Sequence, residues 1–205
     1  FLAPDHPTMG YRLNSYASAL EDLGRFEDAA ANYVEAERIL RDSIGESTIE
    51  YGTLCNNLGN LYGKLGRHEQ AIPLLERAVD VYARLRGTDD MWVSFPLLNL
   101  ARVHFNSGNR AEELRCAEES LRIRLLHLPE DDELVDLARV FRADGLISRG
   151  ETAAFQEAES DLLSAYRRTL NRRGEAHEGT QLIRRALVNV YEAWQRQRDA
   201  AHWSE

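Results

Sequence analysis

Two cysteines, Cys55 and Cys116, and five prolines are few for 205 residues. A disulfide framework in a chain of this size shows more cysteines at patterned spacings, so both read as reduced thiols and the expected compartment is cytoplasmic. No apolar run approaches the ~18 to 20 residues that a membrane span requires, and no signal peptide precedes Phe1. The chain opens on Phe1 without an initiator Met, so a fragment of something longer is expected. Basic residues are outnumbered, 25 Lys and Arg against 34 Asp and Glu, for a net charge of −9. That balance argues against general attraction to nucleic acid or to an anionic membrane, and favours basic partners weakly.

Catalytic signatures are missing as well. The six histidines, His6, His68, His104, His127, His177 and His202, are scattered without metal-ligand spacing, and there is no HExxH, CxxC or paired Cys/His cluster. No GxxxxGK[ST], GxSxG or kinase HRD or DFG string occurs. Neither a catalytic site, a cofactor nor a metal is therefore expected. The acidic run Glu130 to Asp136 lacks the alternating ligands and glycine of a calcium loop, and reads as a helix start stabilised by the helix dipole. The basic set Arg167, Arg168, Arg172, Arg173, Arg184 and Arg185 reads as solvated helix surface, since no aromatics interleave for base stacking.

What the chain does have is a period. Gly24, Gly66, Gly108 and Gly150 stand 42 residues apart, and seven residues before each stands a small residue, Ala17, Gly59, Ala101 or Ala143. Ala29 and Ala71 share one slot after the glycine, and Ala36 and Ala78 another two helical turns on. In the second copy Ala71, Leu74, Leu75, Ala78, Val79 and Tyr82 form one apolar stripe at helical spacing, with no strand alternation. Each copy thus predicts two antiparallel helices, A before the glycine and B after it, the glycine ending helix A at positive φ. Pro7 and Pro129 lie between copies, and Pro96 and Pro73 are expected in the first turns of an A and a B helix.

The order Gly59, Tyr62, Gly66, Ala71, Leu75, Ala78 resembles the tetratricopeptide consensus, and the 42-residue unit is similar to that of kinesin light chains and many bacterial signalling proteins. The opening segment with Asp5, His6 and Pro7 resembles the inter-repeat segment of that class. The resemblance implies an all-α, right-handed solenoid of antiparallel helix pairs running as a single array over 1–205. Its units would cover roughly 8–49, 50–91, 92–133, 134–178 and a partial 179–205. Departures grow toward the C-terminus. Glu113 and Ser120 replace small residues, so the third pair is expected to pack less closely. Ala158, Leu162 and Ala165 fall three residues late, implying an inserted near-turn around Thr152 to Gln156, and Gln195 stands where a fifth glycine belongs. His104 occupies the place of Tyr62 and is expected in the core.

In this family the A helices line a concave groove. Projected here, the groove residues are Asn14, Ser15 and Ser18; Asn56, Asn57, Asn60 and Lys64; Phe95, Asn99, Arg102 and Asn106; then Arg185 and Asn189. Asn is a poor helix-interior residue, so its concentration on one face needs a reason. A carboxamide can hold both the N–H and the C=O of an extended peptide. Lys64, Arg102 and Arg185 would add a preference for carboxylates. Asn57 and Asn99 read equally well as bridges between neighbouring helices. The two-carboxylate clamp of chaperone-tail receptors needs Lys, Asn, Asn, Lys and Arg where this chain has Asn14, Ser18, Asn57, Phe95 and Asn99, which argues against that subclass. The C-terminal text, EAESDLLSAYRRTL and onward, resembles the last repeats of bacterial proteins in which a Ser/Thr kinase precedes such arrays.

These readings imply a protein-interaction module that binds a protein or peptide segment, in a sensory or recruiting role. The alternative is a scaffold that self-associates through terminal repeats, motivated by Trp194 and Trp203 near an uncapped end.

Overall fold

The computed structural model describes residues 5–195. Trp203 and the end of the partial fifth copy lie outside the described residues. Helix is the regular structure throughout them, and the chain divides into two compact units, residues 1–107 and 108–205.

The first unit holds α1 (Pro7–Asp22), α2 (Phe26–Ile44), α3 (Ile49–Lys64), α4 (His68–Arg86), a 3-10 turn (Met91–Val93) and α5 (Ser94–Ser107). Helix α1 pairs with α2 and α3 with α4, while α3 also touches α1 and α5. Close approach explains the small slot. A methyl group built on Gly59 would lie 2.7 Å from Leu75 Cγ and 3.2 Å from the Ala71 carbonyl oxygen. Ala17, Ala29, Ala36, Ala71 and Ala78 are fully buried along the same contacts.

The expected glycine turns are present. At Gly66, φ is +73°, and the Arg67 N–H reaches back to the Tyr62 carbonyl at 2.8 Å, satisfying an acceptor that the ending helix would orphan. Gln195, in the fifth copy, adopts φ +60° without glycine's freedom. Pro73 departs from expectation: it is the sixth residue of α4, beyond the first turn, so its ring removes a donor from the helix interior.

The A helices begin on a repeated cap. His6, Thr48, Asp90, Asp132 and His177 each accept an N–H from the first turn of the segment they precede, from Thr8, Tyr51, Trp92, Leu134 and Gly179 respectively. The first four stand 42 residues apart. A side-chain acceptor here satisfies a helix donor that has no intrahelical partner.

The second unit holds α6 (Arg110–His127), α7 (Glu133–Ile147), α8 (Thr152–Arg173) and α9 (Glu178–Ala193). Its core is Leu114, Val140, Leu146, Phe155, Leu162, Ile183, Leu187 and Tyr191 with the alanines between them. The three extra residues of the fourth copy lengthen its helix rather than its loop: α8 has 22 residues against 19 in α2 and α4, starting at the same distance after its glycine. Trp194 is not exposed; it stacks on Phe155 with ring centroids 5.5 Å apart and planes 12° from parallel.

Glu113 and Ser120, where small residues belong, are both fully buried. The Glu113 carboxylate takes a hydrogen bond from Arg110 at 2.8 Å, leaving its Oε1 without a partner among the described residues. Burial, and then the nearby Asp144 charge, push its pKa up to about 7 against the pull of Arg110. Asp144, bonded to Asn189, is likewise pushed up by burial to about 6.

The acidic and basic runs turn out to be one feature. Asp136, fully buried at its helix start, accepts from Arg139 at 3.1 Å and from Arg168. Arg172 bonds Asp131 at 2.6 Å and Arg173 bonds Glu133 at 2.8 Å. The end of α8 thus neutralises the start of α7.

Candidate functional site

Within the first unit, the projected groove residues of α1, α3 and α5 form one connected face. Asn57 donates to Asn14 Oδ1 at 3.2 Å, Asn56 to Asn57 Oδ1 at 3.4 Å, and Asn99 to Asn56 Oδ1 at 3.0 Å. Four carboxamides therefore run as a chain across three helices. This is the bridging role weighed for Asn57 and Asn99, and Asn56 shares it. Bridging does not exhaust these groups. A carboxamide has two N–H donors, and each bond of the chain uses one.

One turn further along the helices, Arg102 donates to Asn60 Oδ1 and Lys64 to Glu21 Oε2 at 3.1 Å. Glu21 also accepts from the Tyr33 hydroxyl at 2.9 Å, which raises the Tyr33 pKa along with burial, the larger cause. Arg102 is half-buried and has no ion-pair partner among the described residues. Desolvation lowers its pKa, and the field of Glu21 offsets this in part. Among the described residues its hydrogen-bond partner is a neutral acceptor, Asn60.

Beside the amide chain lies a cavity of about 250 Å³ lined by Thr53, Asn56, Asn57, Tyr82, Trp92 and Phe95. Tyr82 donates to Thr53 at 3.0 Å and meets Trp92 edge-on at 5.7 Å. Trp92 in turn meets Phe95 at 6.4 Å and carries the Arg86 guanidinium over its ring. Trp92 is 43% exposed and Phe95 36%, so large apolar surface stands open next to amide donors.

Ser18, Lys64 and Asn106 are exposed on the same unit, Ser18 donating to Tyr33. Arg185 and Asn189 belong to the second unit, where both are exposed and Asn189 bonds Asp144. Glu21, Thr53, Tyr82 and Trp92 were missed by the projection. Trp92 carried a signal, since a tryptophan in the turn ahead of an A helix has no core position to fill. His104 is buried, as its Tyr62 register implies.

Residues 50–125 match the family model described as tetratricopeptide repeat. Those residues carry tetratricopeptide repeats. In fold they are kinesin-light-chain-like. A Podosopora anserina protein classed with kinesin light chains, built of nearly identical TPR-like repeats, superposes with a TM-score of 0.79 at 16% identity, covering 99% of this chain and 93% of that one. BtubC (BKLC) from P. vanneervenii gives 0.72 at 21% identity, over 82% of this chain and 66% of that one. A Rap protein in complex with competence and sporulation factor gives 0.70 at 15% identity, over 96% and 55%. No curated protein sequence matches the chain. Among the described residues, no helix is long and apolar enough to cross a membrane.

Proposed function

We propose that this tetratricopeptide chain is a protein-interaction module that captures an extended segment of a partner protein on the α1, α3 and α5 face, as the sensory or recruiting part of a larger bacterial signalling protein. The observation that carries the reading is the aromatic cavity beside the amide chain. Packed helices lie about 8–10 Å apart, so three of them span roughly 16–20 Å, the reach of about five or six extended residues. Spare carboxamide donors along that span suit a peptide backbone. Trp92 and Phe95 offer a seat for an apolar side chain, and Arg102 favours a carboxylate. The Rap protein, solved with competence and sporulation factor, is a case of this fold holding a ligand. The competing scaffold reading loses half its motive, because Trp194 is packed.

Selection from a random-peptide library on the immobilised chain tests the proposal. Enriched sequences should bind the parent, and Arg102→Ala should weaken those bearing a carboxylate while flattening their salt dependence. A library that yields no saturable binder, or binders indifferent to every substitution on this face, contradicts it.

A further inference from the structure

The cavity of the first unit has a counterpart in the second. Helices α3 and α7 start 84 residues apart, and beyond the three extra residues of α8 the offset becomes 87. On that register Thr53, Asn56, Tyr82, Trp92 and Phe95 correspond to Leu137, Val140, Thr169, Gly179 and Leu182. All five of the latter line a cavity of about 230 Å³, closed further by Leu134 and Ile183. The capping geometry corresponds too: the Trp92 N–H bonds Asp90, and the Gly179 N–H bonds His177.

All five positions differ between the counterparts. Where the first unit places the Tyr82, Trp92 and Phe95 rings, the second has Thr169, Gly179 and Leu182. A methyl group built on Gly179 would stand 3.2 Å from the His177 ring and 3.7 Å from Thr169 Cγ2, so the missing side chain would begin between His177 and the residue that replaces Tyr82. The polar side chains of Thr53 and Asn56 have become Leu137 and Val140, which leaves aliphatic walls there. The acidic groups at the edge are matched: Glu133 by Arg173, Asp136 by Arg168 and Arg139.

The geometry points to a ligand-binding pocket in the second unit for a neutral aromatic ring, supplied by the ligand in place of the rings that the repeat has lost. Size agrees, since an aliphatic cavity of about 150 Å³ takes up benzene, and this one is larger. Matched edge carboxylates leave no unpaired acid for a cationic ligand to neutralise, and the walls are aliphatic apart from the Thr169 hydroxyl and the His177 ring.

The test is ¹⁹F NMR of 5-fluoroindole titrated with the full 205-residue chain. Saturable line broadening is expected with the parent. Thr169→Tyr, which restores the ring of the first unit, should weaken binding at least ten-fold, and the smaller filler Thr169→Leu at least three-fold should the Tyr variant fail to fold. Asn56→Ala with Asn60→Ala should bind 5-fluoroindole as the parent does, which separates this pocket from the peptide site. Competition by indole against N-acetyltryptophanamide tells a free aromatic molecule from a ring borne on a peptide, the stronger competitor naming the source. Absence of saturable binding by the parent, equal binding by the filled and parent chains, or displacement by cyclohexanol in preference to indole would overturn the assignment.

Discussion

Ala71 is fully buried, and its carbonyl oxygen stands 3.2 Å from where a side chain on Gly59 would begin. A leucine there has no space to enter, so Ala71→Leu should cost roughly 1–3 kcal/mol by overpacking, read as a lower urea midpoint. Glu113, in the corresponding slot of the third copy, looked from sequence like a looser position. Its complete burial changes what substitution there does. The groups facing it are Arg110 on its own helix and Asp144 on α7, and with its pKa raised to about 7 the folded state binds a proton that the unfolded state, near 4.5, releases. A carboxyl raised on folding contributes stability that is full below the unfolded pKa and lost as pH rises through the folded one. Parent stability relative to Glu113→Gln should therefore fall between pH 5 and pH 8 in paired urea titrations. A difference that is flat or rises over that window would contradict the burial of this charge.

The helices differ in how far sequence disclosed them. The A and B pairs and their glycine turns were legible because a period of 42 repeats small residues and φ-positive positions that physics allows few side chains to fill. The extra length of the fourth copy was legible as three residues but not as helix, since the spacing of Ala158, Leu162 and Ala165 is the same whether the addition extends α8 or its loop. Charge partners were illegible for a different reason. Asp131, Glu133 and Asp136 meet Arg172, Arg173 and Arg168 some 30 to 40 positions away, and only the antiparallel return of α8 brings them together. These contacts are unequal. Asp136 is buried, so Arg168→Met leaves its carboxylate with Arg139 alone and should cost about 1–3 kcal/mol. Arg172→Met removes an exposed pair and should cost less than about 1 kcal/mol. Thermal melts of the two variants side by side check the ranking; equal midpoints would show that the α7 start is not held by Arg168.

At the scale of the molecule, an acidic chain built of repeated helix pairs presents on its first unit a face of amides, one half-buried cation and open aromatic surface. The amides were found in sequence as a face, because Asn at helical spacing is conspicuous, yet their mutual bonding was not, since it depends on which rotamers neighbouring helices permit. Asn56 and Asn60 hold Asn99 and Arg102, so changing both to Ala removes interhelical hydrogen bonds and should lower stability by about 1–3 kcal/mol. The fold should survive, because the apolar contacts of Leu58, Leu61 and Tyr62 lie on the packing side. The most direct measurement is a calorimetric titration of a library-selected peptide into the parent and into Asn56→Ala with Asn60→Ala, at a temperature where circular dichroism shows both fully helical. Losing two neutral hydrogen bonds predicts roughly five- to hundred-fold weaker binding. Unchanged affinity in a folded double variant would place the partner elsewhere and contradict the amide face as the binding site.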